Sequence, residues 1–296
     1  MHYTGPVYRH PLEINTPLLE ITYGCSWNKC SFCNMYKEVQ FNVSPMEDIR
    51  EDLEEMSEIY PKSLKNIVLV NGDPFALHPD KLLEISDLIH EYFPDIRRLS
   101  MQASIRNIKT KTVDQLKELS RAKYNDLYIG LETAHDETLK LMNKGFSQVD
   151  QYEQLAKIHE AGINYIALLM LGVAGKGYSD VSTTETAKLL NKYQPRMVSV
   201  ITTAIAPNTP LMRLKEEKKF IQLTEKEVIE EEIMLVEKLD LNPNCYFFGS
   251  HLNNLAPASD HFKYKQRLIQ KLKDRLDFLE ENRKDELYSK LNRDRV

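Results

Sequence analysis

The chain has 296 residues, 42% hydrophobic and 28% charged, and its 39 Lys and Arg against 44 Asp and Glu leave a net charge of −5. That length admits one large α/β domain or two small ones, and the composition is that of a globular chain, not a disordered one. The mild acidity supplies no general attraction to nucleic acid or to an anionic membrane. No run approaches the roughly 18 apolar residues of a membrane span, and the amino-terminal residues lack a charged start followed by an apolar stretch, so a cytoplasmic protein is expected.

Taken in chain order, six short apolar runs rich in β-branched and aromatic residues alternate with segments of helical period. The first, LLEITYG (18–24), runs directly into a loop holding Cys25, Cys30 and Cys33. Ser44-Pro45-Met46-Glu47 offers a capping box with proline at the first helical position. The strands at 66–73, 97–104 and 126–133 follow, and Lys144-Gly145 reads as a helix end, because glycine accepts a left-handed conformation there. The fifth and sixth strands cover 164–172 and 197–204, and Thr224 to Glu227 is a second capping box, opening a helix to about Leu239.

Near-continuous apolar strands separated by helices indicate a parallel sheet covered by helices. The expected fold is α/β, a partial (β/α)6 TIM-type barrel over residues 1–210, closed by a mostly helical C-terminal extension over 211–296. In that extension Cys245 to Phe248 reads as strand-like, with Cys245 a buried small hydrophobe. A long charged helix from about 260 has an apolar face of Tyr264, Leu268, Leu272, Leu276 and Leu279, and its last turns from Glu281 read as solvated.

Clustered thiols in such a chain read first as metal ligands. Three thiolates can hold three irons of a [4Fe–4S] cluster and leave the fourth open for cofactor-directed chemistry. The alternative is a structural zinc site, which needs a fourth ligand; no histidine lies in the loop, and Cys245 is remote in sequence.

The words GCSWNKCSFCNMY, with NGD ending the second strand, resemble the radical S-adenosylmethionine (SAM) superfamily, in a compact form whose first two cysteines have four residues between them. The resemblance implies that SAM binds the open iron and is cleaved reductively to a 5′-deoxyadenosyl radical, which takes a hydrogen from the substrate. It implies Cys25, Cys30 and Cys33 as cluster ligands and Phe32 near the adenine. Gly72 and Asp73 fall where the family holds the SAM amino group, although Asp73 is shorter than the family's glutamate. Arg106 could pair with the SAM carboxylate, and Ser104, Glu132, Gly172 and Thr202 are the other strand-end candidates for SAM. Gly172 lacks an evident acidic partner.

Asn71, Gln102, His251, Asn253 and Asn254 are candidates for a polar substrate. The single remaining cysteine argues against a second cysteine-held cluster, and there is no cobalamin fingerprint. The absence of a large basic appendage weakens a whole-tRNA substrate and favours a small molecule, with an external electron donor such as flavodoxin or ferredoxin. The compact architecture also resembles radical SAM lyases that release queuine from queuosine. Chemistry on another metabolite or on tRNA, and a non-catalytic iron–sulfur or zinc sensor, remain open at this point.

Overall fold

The computed structural model describes residues 1–282. They form two compact units. The first comprises Met1–Asn28, Tyr36–Gly130 and Glu153–Tyr165; the second comprises Lys29–Met35, Leu131–Tyr152 and the chain from Ile166 onward.

The elements begin with β1 (Leu18–Glu20), β2 (Thr22–Tyr23), β3 (Asn42–Val43), α1 (Met46–Ile59), β4 (Asn66–Val70) and α2 (Pro79–Tyr92). After them come β5 (Arg98–Ala103), α3 (Ile105–Lys109), α4 (Val113–Arg121) and β6 (Asp126–Glu132). In the first unit β1, β4, β5 and β6 run parallel, pairing Leu18 with Val68, Asn66 with Arg98 and Ser100 with Asp126. Ile67 to Val70 are all buried, so both faces of β4 are covered, as a parallel strand between layers requires. The covering helices read as stripes. On α2, Leu82, Ile85, Leu88 and Ile89 are buried, and each such side chain contributes about 2 kcal/mol of hydrophobic stabilisation. That burial, more than helix propensity, holds the helix in place.

The chain continues through α5 (Asp136–Leu141), α6 (Gln148–Glu160), β7 (Asn164–Leu171), α7 (Ser179–Lys192), β8 (Met197–Thr202) and α8 (Pro210–Glu216). The described elements close with α9 (Glu225–Lys238), β9 (Tyr246–Phe248), β10 (Ser259–His261) and α10 (Lys265–Asn282). In the second unit β7, β8 and β9 are parallel, with Ile166 opposite Met197 and Met197 opposite Tyr246, and β10 returns antiparallel on β9.

All six expected strands are present, and the fold is α/β with parallel strands and covering helices. Three local readings need correction. Ser44 does not cap α1: Pro45 holds the cap position without a side-chain bond, and the Ser44 backbone N–H is committed to the Ile21 carbonyl at 3.1 Å. The helix expected to end at Lys144-Gly145 stops at Leu141, because Asn143 takes the left-handed conformation at φ 50°. The last helix starts at Lys265, since residues 259–261 pair with β9 instead; Tyr264 is exposed, and Ile269 joins Leu268, Leu272 and Leu279 on the buried face. The solvated turns expected from Glu281 extend outside the described residues. The Thr224 capping box forms with both reciprocal bonds. Among the described residues no helix is long and apolar enough to cross a membrane.

Candidate active site

In the first unit the site grows from the end of β4. Asn71 and Gly72 both take left-handed backbone, φ 67° and 64°, turning the chain back toward the β1 end. The Thr22 hydroxyl donates to the Asn71 carbonyl at 2.7 Å, the Asn71 amide donates to Glu20, and the Gly72 N–H donates to the Tyr36 hydroxyl at 3.0 Å. Gly72 lies directly on the Gly24 peptide: a Cβ there would stand 1.5 Å from the Gly24 carbonyl oxygen. Only glycine permits that approach.

Asp73 is buried and accepts hydrogen bonds from the Ser26 hydroxyl and the Asn107 amide, one on each oxygen. Burial raises its pKa despite those two bonds and the nearby charges of Arg106 and Lys111. Both carboxylate oxygens therefore act within the protein, holding the residue that follows Cys25. Lys111 is buried too, donating to the Phe75 carbonyl at 2.8 Å, and desolvation pushes its pKa down to about 8. The four-residue gap between the first two cysteines is accommodated at Asn28, left-handed at φ 48°, whose amide donates to the Tyr36 carbonyl at 2.6 Å. Its N–H points at the Cys25 sulfur, 3.4 Å away.

Arg106 stacks on Trp27, the guanidinium carbon 4.1 Å from the ring centroid, and its buried Nη1 has no partner. A buried guanidinium nitrogen without an acceptor is costly unless an anion completes it. Ser104 caps α3, accepting from the Asn107 N–H at 3.3 Å, while Gln102 is half-buried on β5.

In the second unit the continuing cysteine loop is clamped at Ser31. Its N–H donates to the Met142 carbonyl and its hydroxyl to the Leu141 carbonyl, while its own carbonyl accepts from the Leu211 N–H, each at 2.9 Å. Phe32 packs on the core cluster of Met142, Met170, Val173, Ile205, Leu211 and Phe220. Glu132, at φ 61°, pairs with the Lys144 ammonium at 2.8 Å.

Gly172 has the acidic partner that its neighbourhood in sequence does not show. Its N–H donates at 2.6 Å to Glu231, 59 residues on, whose other oxygen accepts from Ser179. Burial pushes the Glu231 carboxyl up to about 6 from an ordinary 4.5, against those two bonds. The folded state therefore binds more protons at this group between the two values: the group's contribution to stability is full below about pH 4.5 and is lost as pH rises through about 6. Glu231→Gln should remove that slope. In urea unfolding, the variant's stability relative to wild type should rise by about 2 kcal/mol from pH 4 to pH 7.5; a pH-independent difference would refute the assignment.

Thr202 and Asn254 are joined, the Asn254 amide oxygen accepting from the Thr202 N–H at 2.8 Å and hydroxyl at 3.2 Å. The Asn254 NH2 donates to the Val200 and Gly249 carbonyls, each at 2.9 Å. With both ends of its amide engaged, Asn254 cross-links β8 to the loop that follows β9. Asn253 and His251 lie beside it, the Asn253 N–H donating to the His251 ring at 3.2 Å, and burial lowers the His251 pKa. The neighbouring Thr203 hydroxyl is buried without a partner.

None of the four cysteines is joined in a disulfide, and the three of the loop are partly exposed. Cys245 is 2% exposed, and burial pushes its thiol up to about 12, as befits a small hydrophobe and not a ligand. Among the described residues no three His, Cys, Asp or Glu side chains converge on a single ion. A four-iron cluster makes a different demand, since each thiolate takes its own iron. Three partly exposed thiols within nine residues fit the donor set of such a cluster.

The family model of the radical SAM superfamily matches residues 19–190, more than half of the chain. The chain belongs to the radical SAM superfamily. Its cofactors are accordingly a [4Fe–4S] cluster and SAM. This radical SAM protein is 28% identical over 153 residues to the heme chaperone HemW of Bacillus subtilis, a match covering 50% of this chain and 40% of the relative. It is 24% identical over 224 residues to an uncharacterized protein of Methanocaldococcus jannaschii, covering 71% and 67%. The chain thus spans well under half of the heme chaperone's length. Its fold is similar to that of methylornithine synthase, with a TM-score of 0.55 at 18% identity over 87% of this chain and 68% of that one; at such identity the likeness carries the fold alone.

Proposed function

We propose that this radical SAM enzyme removes a hydrogen atom from a small polar substrate, and that the substrate is a nucleoside whose base–sugar bond then breaks, as in the release of queuine from queuosine. Cys25, Cys30 and Cys33 hold the cluster. When bound, cluster and SAM together supply a 5′-deoxyadenosyl radical.

The chain's own residues bind and orient. Arg106 takes the SAM carboxylate, and its unpartnered Nη1 is the observation that carries this reading. The turn at Gly72 lies where the SAM amino group binds, while Asp73 braces the Ser26 side chain and Ser104 caps α3. Phe32, Glu132, Gly172 and Thr202 complete the SAM contacts. Residues from 211 onward shape the substrate site, with the Thr203 hydroxyl, His251 and Asn253 as the hydrogen-bonding candidates in the second unit and Asn71 and Gln102 as those in the first. An external one-electron donor of the flavodoxin or ferredoxin kind reduces the cluster.

The test is anaerobic turnover of the reconstituted protein with dithionite, SAM and queuosine, read by mass spectrometry. Queuine appearing together with 5′-deoxyadenosine is the expected result. If 5′-deoxyadenosine forms without consumption of queuosine or its phosphate, the nucleoside assignment fails while the radical chemistry stands. Similarity to a heme chaperone makes hemin the second ligand to add in the same assay.

A further inference from the structure

The end of α5 is built against the cysteine loop. The last carbonyls of a helix have no partner within it; here those of Leu141 and Met142 accept from Ser31, and the Asn143 amide donates to the Lys29 carbonyl, every bond at 2.9 Å. The left-handed Asn143 then turns the chain, and the Lys144 N–H closes on the Leu139 carbonyl at 3.0 Å. This fixes the backbone of Lys144 beside the loop, and its side chain is 9% exposed.

The Lys144 ammonium lies 2.8 Å from a Glu132 oxygen and 5.6 Å from the ring centroids of both Phe32 and Phe146. Phe32 is the residue immediately before Cys33. Burial opposes the lysine's charge, but Glu132 and the Cys30 and Cys33 thiolates more than offset it, so its pKa is raised and it stays an ammonium. A charge on an exposed lysine would be screened by water and salt. One held near two phenyl rings and shielded from solvent is screened less and acts more strongly on its neighbours.

We propose that the Lys144–Glu132 pair sets the reduction potential of the cluster held by the cysteine loop, the ammonium favouring the reduced cluster and the carboxylate opposing it. The inference rests on the cluster-binding reading above. One-electron reduction adds one negative charge to the cluster, and fixed charges around the sulfurs shift the potential at which that happens. A pair that merely braced the loop would alter stability and loading, and would leave the potential of a loaded cluster where it was.

The full-length protein and its Lys144→Met, Lys144→Arg and Glu132→Gln variants would be reconstituted without oxygen and assayed for iron and sulfide. Midpoints would then be read by electron paramagnetic resonance during titration with dithionite and mediators, without SAM. Lys144→Met should lower the midpoint enough to change the reduced-to-oxidised ratio at fixed potential at least tenfold, which is about 59 mV for a one-electron couple. Glu132→Gln should move it upward, and Lys144→Arg should stay near wild type. Loaded variants that both move the same way, or not at all, overturn the proposal. If Lys144→Met fails to load, Glu132→Gln against wild type decides alone, and no upward shift refutes it. Wild-type protein that takes up no cluster would instead sink the reading beneath it.

Discussion

Cys30→Ala should leave the fold intact and stop SAM cleavage. The Cys30 side chain is partly exposed and outside the apolar core, so its removal should change stability by no more than about 1 kcal/mol. The cluster, however, would be left with two thiolate ligands. Loss of groups that only support metal ligands already costs about 10- to 100-fold; loss of a ligand itself should exceed that. Bound iron and sulfide in the reconstituted variant should fall to background, and 5′-deoxyadenosine production should drop by more than about 100-fold. Circular dichroism of the variant should match that of the wild type. A variant that kept one equivalent of zinc and lost nothing else would favour a zinc-binding protein.

The second large effect is expected at Gly72. An added methyl there would stand 1.5 Å from the Gly24 carbonyl oxygen, a backbone atom that cannot swing aside. Its φ of 64° is unfavourable for alanine as well, at about 1 kcal/mol. Overpacking against a rigid neighbour adds to that penalty, so Gly72→Ala should destabilise the protein by about 3 kcal/mol or more, measured as a lowered urea midpoint at unchanged slope. Because Gly24 immediately precedes Cys25, any residual folded protein should also load less iron. Asn71→Gly is the useful contrast: it has the same left-handed backbone, where glycine relieves strain, so its loss should come only from the amide bond to Glu20. Equal effects of the two substitutions would show that the close approach at Gly72 is not what matters.

Both effects trace to a cysteine loop that could be read directly from the chain. Three thiols within nine residues, right after an apolar run, state their chemistry locally. The strands were legible for a similar reason. A segment such as Ile67 to Val70, apolar at every position, has to be covered on both faces wherever the rest of the chain goes. The Thr224 capping box is likewise a contract among four neighbouring residues. The same kind of reading failed at Ser44, where a backbone hydrogen bond to Ile21 competed for the segment and displaced the cap.

Lys144 shows where local reading stops. In the sequence it was one half of a helix-ending dipeptide, and nothing nearby marked it as a buried cation. Its partner Glu132 was visible as a polar strand end, but their pairing depends on a left-handed turn at Asn143.

The chemistry of the cysteine loop, the α/β alternation and the polar character of each strand end are local properties, because period, composition and short spacing carry that information within a few residues. What those polar residues bond to is set by the folded arrangement. Asp73 became a brace for Ser26, Asn254 a cross-link to Thr202, and Glu231 the acceptor for the Gly172 N–H. Each depends on partners dozens of residues apart, brought together only when parallel strands place their ends side by side. Burial then changes the energetics: a carboxylate that would be solvated in the unfolded chain must find donors inside the protein or hold its proton.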